Sequence, residues 1–160
     1  MNDIQRIVDQ LEREHAGEPW HGSPLTSILA GIDHAGAAAK PLPDAHSIWE
    51  LVLHLTAWKN EVRHRLDGGR AGEPREGDWP AVGEATAGRW RDACEKLDLA
   101  HQLLVSAVKE FKEENLAVPI NDPRSDTIAA TYYELLMGIL QHDVYHAGQI
   151  ALLKRLAGVE

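Results

Sequence analysis

Two histidines four residues apart, His142 and His146, fall in a segment from Thr127 to Leu156 whose apolar residues recur at three- and four-residue steps. On an α-helix that spacing puts two imidazoles on one face, about 6 Å apart along the axis, where they can converge on one cation. The same face carries Leu135, Ile139, Ile150 and Leu153, so both rings are expected to point into a core. An unpartnered polar ring costs about 1 to 3 kcal/mol there. One such histidine is ordinarily a neutral core residue satisfied by a carbonyl or hydroxyl. Two on one stripe favour a shared divalent ion. The third nitrogen is expected from a neighbouring helix, from His54 between Leu51 and Trp58. His101, between Leu97 and Leu104, is the rival, although nothing local separates it from a packed core histidine. His15, His21, His34, His46 and His64 stand where solvated or turn-associated imidazoles are ordinary, and the helix-end setting of His64 beside Arg63 and Arg65 favours exposure.

Helices must hold these side chains. Ile48, Leu51, Val52, Leu55, Trp58, Val62 and Leu66 make an apolar stripe between Ser47 and Leu66, flanked by Pro41, Pro43 and Asp44 before it and by Asp67-Gly68-Gly69 after it. Trp90, Cys94, Leu97, Leu104, Val108 and Phe111 form another, within about Glu84 to Glu114. Ile4, Ile7, Val8 and Leu11 form a shorter one behind a cap at Asn2 or Asp3, ending near Gly17. The interval from Trp20 to Lys40 is expected to be a helical turn plus loop, since Gly31, Gly36 and an alanine run interrupt it. The Gly- and Pro-rich segment from Asp67 to Gly83 is a long connection of the kind that serves a site, and Trp79 is placed to pack near an entrance. No useful period-two alternation and no repeat occurs. The fold expected is all-α, a four-helix bundle forming one domain over residues 1–160.

A chain of 160 residues buries enough surface to fold without a disulfide or structural metal, and its one cysteine, Cys94, has no internal partner. The net charge of -9 opposes nucleic-acid binding. No apolar run approaches the roughly eighteen residues needed to span a bilayer, and no leader pattern opens the chain, so a cytoplasmic protein without a membrane partner is expected.

The run Gln141-His142-Asp143-Val144-Tyr145-His146-Ala147-Gly148-Gln149-Ile150 resembles the last-helix motif of the DinB/YfiT-like superfamily: His, an acidic residue, two variable positions, His, a variable position, Gly, Gln and an aliphatic. Ser47-Ile48-Trp49-Glu50-Leu51-Val52-Leu53-His54-Leu55 is similar to that family's second-helix motif, which carries its first histidine ligand over to His54. The resemblance covers essentially the whole chain. It implies a divalent ion, commonly nickel or zinc, between the helices of a bundle, with water completing the coordination, and often a homodimer. It also implies one of several activities on small molecules. Members include S-transferases using bacillithiol or mycothiol and proteins described as metal-dependent hydrolases.

Three neutral nitrogens leave an ion with open positions, the arrangement of catalytic zinc rather than structural zinc. An ion so held can lower the pKa of a low-molecular-weight thiol that attacks an electrophile. Alternatively it can activate water, with Glu50, one turn before His54, as the proton-moving carboxylate. A binding or stress-response module without turnover uses the same ligands. Asp143 differs by one methylene from the acid of the zinc-protease pattern His-Glu-x-x-His, but the shorter reach and the missing further histidine favour a supporting role. Gln149 either contacts a ligand or satisfies buried backbone. Trp58 is the aromatic residue placed to line a pocket, while Trp49 and Trp90 suit the core.

Overall fold

Each long helix starts at a side-chain cap that the sequence supplies. Asn2, Ser47, Thr86 and Thr131 accept from the backbone N–H three residues on, and Gln5, Glu50 and Glu134 return the bond to complete capping boxes at the first, second and last of these. The helices so begun are α1 (Asp3–Ala16), α4 (Ile48–Leu66), α5 (Ala87–Glu110) and α6 (Tyr132–Leu156). Two short ones, α2 (Leu25–Leu29) and α3 (His34–Ala38), occupy the stretch expected to be a turn plus loop. The computed structural model describes residues 1–124 and 129–158, and among these there is no named strand.

α4 packs against α5 and α6, and α1 closes the ring against the same two helices. The core divides into two apolar layers. Trp49, Leu51, Leu55, Trp90, Leu97 and Ile150 belong to one, with Leu25 of α2 and Ala37 of α3. Ile4, Leu11, Val62, Leu104, Leu136 and Ile139 belong to the other. The order in which each helix meets the layers gives its direction. α4 and α5 both run from the first layer to the second, whereas α6 runs from the second to the first. Two consecutive helices in the same direction need a connection that returns along the bundle, one of the long crossovers known for such folds. That requirement explains the long segment between Leu66 and Ala87. Its backbone is tied at one end by Ala71 N–H to the Asn121 carbonyl at 2.8 Å, and Val82 packs at the other against the first layer.

Two boundaries differ from the sequence expectation. α6 begins at Tyr132, because Thr131 stays extended and bridges to Pro119, while the Ile120 N–H donates to the Ala130 carbonyl at 2.8 Å. Thr127 and Ile128, expected to start that helix, lie outside the described residues. α5 ends at Glu110, and Glu113–Asn115 form a separate 3-10 turn. Among the described residues no helix is long and apolar enough to cross a membrane.

Candidate metal centre

His54 on α4 and His142 and His146 on α6 bring one ring nitrogen each to within 4.8 Å of one another, and among the described residues they form the one such cluster able to hold a metal ion. Hydrogen-bond acceptors, one backbone and one side-chain, fix two of the three tautomers. His54 Nδ1 lies 2.6 Å from the Asp78 carbonyl oxygen, which can only accept, so Nδ1 carries the proton and Nε2 presents its lone pair inward. His146 Nδ1 lies 2.7 Å from Gln149 Oε1 and donates to it, with the same result for its Nε2. Gln149 is therefore the partner of a ligand histidine, acting as an acceptor.

His142 completes the argument that the residues fit an ion. Its Nε2 is 2.9 Å from His54 Nε2, and its own Nδ1 is buried with no hydrogen-bond partner. Two imidazole lone pairs cannot face each other at that distance without a positive centre, whether a proton or a cation. A proton on His142 Nε2 strands Nδ1 as a buried acceptor, whereas a cation shared by the Nε2 atoms leaves Nδ1 as an N–H donor. Asp143 Oδ1, also buried and unpartnered, stands 4.0 Å away. Metal-bound imidazoles commonly give their second N–H to a carboxylate or carbonyl. Burial, with the neighbouring imidazoles of His146 and His54, pushes the His142 pKa down to about 3. Burial likewise lowers that of His146, so both rings stay neutral and ligand-ready at ordinary pH.

The crossover supplies the mouth of the site. Asp78 Oδ1 accepts from Trp58 Nε1 at 2.7 Å, and Trp79 stacks on His54 with centroids 3.9 Å apart. His46 stacks against Trp79 at 3.4 Å, so the three rings make one pile over the triad. Beside it opens a cavity of about 420 Å³ lined by the three histidines, Trp58, Val62, Arg65, Asp78, Leu135, Gly138 and Ile139. Trp58 lines this cavity, and Trp49 and Trp90 are core. Glu50 stands elsewhere, at the head of α4, where Oε2 accepts from the Ser47 N–H at 2.6 Å and Oε1 from Lys40 at 3.0 Å. Cys94 is not among the cavity-lining residues, and burial pushes its thiol up to about 11.

His15 corrects the sequence reading of a solvated imidazole. It is buried in the last turn of α1, bonded through Nε2 to Asp98 Oδ1 at 2.9 Å and stacked on His101 at 3.8 Å. His101 is thereby a packing partner of His15 and stands outside the triad. Burial, with His15 and Lys59 nearby, drives its pKa down to about 2.

Between the two apolar layers, and behind the triad, lies a charged group that the sequence reading missed. Lys59 of α4 and Asp143 of α6 form an ion pair with neither side chain exposed, and the buried Glu14 carboxylate of α1 has no hydrogen-bond partner on either oxygen. One ammonium faces two carboxylates. Burial, reinforced by Asp143 and opposed by Lys59, raises Glu14 to about 8. The unfolded chain releases this proton near 4.5, so between these values the unfolded state binds fewer protons and stability falls as pH rises. Glu14→Gln is expected to remove that slope, gaining on the order of 5 kcal/mol over wild type at pH 9 but little at pH 4. Urea melts at the two pH values measure it, and an equal offset at both would show that Glu14 does not titrate on unfolding.

The DinB superfamily model matches residues 20–150, which include α2 through the second triad histidine of α6. Neither a curated protein nor a solved structure matches the chain. The family match spans most of the sequence, and the three histidines that carry the motif meet in the folded bundle. On both grounds, the chain belongs to the DinB superfamily.

Proposed function

We propose that this protein is a metal-dependent enzyme in which His54, His142 and His146 hold one divalent ion, nickel or zinc, that activates a small thiol for transfer to a small electrophile. The observation that supports it most is the placement of three inward-facing imidazole nitrogens on the wall of a largely apolar cavity. The chemistry a bound ion supplies there is Lewis acidity, which brings a thiol proton within reach of neutral pH. The chain's own groups do the rest. Asp78 and Gln149 fix the orientation of two ligand rings through their Nδ1 protons. Trp79 shields one face of His54, and Trp58, Val62 and Ile139 offer an apolar wall that limits water around a bound substrate.

Water activation is the second reading, and Asp78 is the observation in its favour. Its carboxylate lines the cavity with Oδ1 3.3 Å from His54 Nδ1, whereas both oxygens of Glu50 are engaged at the helix cap. Asp78 rather than Glu50 is then the carboxylate to carry a proton. We also propose a homodimer. Tyr145, Leu152 and Leu156, all exposed at seven- and four-residue steps on α6, supply an apolar stripe for it, and sedimentation at micromolar concentration tests it.

Zinc- or nickel-loaded protein incubated with monobromobimane, with and without a cysteine-based thiol such as bacillithiol, separates the readings. Adduct formation that needs protein, metal and thiol together supports the transferase. Ester hydrolysis without thiol, abolished in Asp78→Asn, supports the second reading. A binding module without turnover is what remains if metal is held and neither reaction occurs.

A further inference from the structure

The cavity beside the triad has a second polar end. Arg65 lies eleven residues beyond His54 on α4, roughly 16 Å along the axis, and lines the same cavity. Trp58 joins the two ends, its ring 6.2 Å from that of His142 and 5.6 Å from Arg65 Cζ. The Arg65 guanidinium is buried and held from behind. Nε donates to Glu61 Oε1 at 2.8 Å and Nη2 to the Gly72 carbonyl at 2.8 Å, which leaves Nη1 uncommitted among the described residues. Glu61 lines a separate polar cavity with Arg63, His64, Arg70, Glu73 and Arg75, so of this ion pair only the guanidinium, with its N–H donors, lines the triad cavity.

We propose that the triad cavity binds a small apolar molecule bearing one carboxylate, with the carboxylate on Arg65 Nη1 and the body lying along Trp58, Gly138 and Ile139 toward the histidines. Charge complementarity sets the direction. In the metal-free protein Asp78 is the charged group at the triad end and repels an anion there, whereas a carboxylate at Arg65 meets a donor pre-positioned by two hydrogen bonds. A single uncommitted nitrogen, in a chain of net charge -9, favours a monoanion over a phosphate dianion. The volume, about 420 Å³, is within the range of small-molecule sites. Gly138 lines the cavity, and a Cβ built there meets nothing within 4 Å, so the position has room for a larger side chain. This inference rests on the reading of the cavity as a reaction site and adds the class of molecule that enters it.

Calorimetric titration with octanoate, octan-1-ol and octylammonium tests it on zinc-loaded and zinc-free protein, with metal content measured on each sample. Octanoate is expected to bind both forms at least tenfold more tightly than the alcohol or the amine. Glu61→Gln combined with Arg65→Met, which leaves no unpaired charge, is expected to erase the carboxylate preference without changing zinc content. Gly138→Phe is expected to weaken all three ligands. Equal affinity for acid and alcohol overturns the proposal, as does a carboxylate preference that survives in the double variant or appears only with zinc. Arg65-dependent binding in a protein that takes up no metal leaves this inference standing and removes the metal-dependent reaction.

Discussion

Replacing His142 by alanine is expected to abolish stoichiometric metal binding, taking zinc content from about one per chain to the background of a dialysed blank. The three rings form a near-equilateral triangle, with the His142 centroid 4.9 Å from that of His54 and 4.5 Å from that of His146, and the last two 4.8 Å apart, so each supplies one corner of the site. Without it two nitrogens remain, and a two-ligand site is short of the three that open catalytic zinc sites use. Loss of an outer hydrogen bond alone typically costs 10–100-fold in affinity. Gln149→Leu, which removes the acceptor of His146 Nδ1, should therefore fall in that range, and His142→Ala well beyond it. His101→Ala is the matched control, since its ring stacks on His15 and is no part of the triad. Protons compete weakly at His142, which burial holds down to about 3. Competition with a chromophoric chelator across pH measures all three variants. Retention of one tightly bound zinc by His142→Ala would place the ion elsewhere.

The triad could be found in the sequence because each of its members advertises itself locally. His142 and His146 lie one turn apart among aliphatics, and His54 lies on a stripe bounded by a visible cap and a visible Gly stop. Helical periodicity reports which face is buried, and burial of a polar ring narrows what it can do. The surroundings of the triad were less legible for two physical reasons. Asp78 and Trp79 are in the crossover, where no period constrains side-chain direction, so only the general expectation of a packed tryptophan near the entrance was available. His15 was misread because its neighbours in sequence, Glu14 and Ala16, give no hint of Asp98 and His101 on α5. The same holds for α2 and α3. Each is a five-residue helix, too short to show a stripe, and they are fixed by packing of Leu25, Ile32 and Ala37 onto the first apolar layer.

Lys59 shows how a charged residue on an apolar stripe can be passed over. It follows Leu55 and precedes Val62 at helical spacing, and a lysine at such a point is usually taken for one that bends its amine out to water. In the fold it has no exposed surface, because the level it occupies is ringed by Glu14, His15, His101 and Asp143 from the three other long helices. A polar plane thus crosses the bundle between its two apolar layers, with the three clustered histidines at one side of it.

Lys59→Met is expected to destabilise the protein by roughly 3–5 kcal/mol, the usual cost of removing one partner from a buried pair. Asp143 would be left buried with no cation, beside a Glu14 that burial keeps protonated up to about pH 8. For a domain of this size that corresponds to a fall in Tm on the order of 10 °C. Lys59→Met with Asp143→Leu removes both charges and should recover most of the loss, since well-packed apolar replacements of buried pairs are often neutral or better. If stability were all the pair provided, the double variant would also bind zinc normally. It is expected not to. Asp143 Oδ1 is the nearest unpartnered acceptor to the unpartnered Nδ1 of His142, and without it a ligand ring loses the group that can orient it. A 10–100-fold weaker zinc affinity in a double variant with near wild-type urea midpoint would separate the two roles. Normal affinity in that variant would reduce the pair to a packing feature, and a double variant as unstable as Lys59→Met would mean that the plane tolerates no apolar substitute.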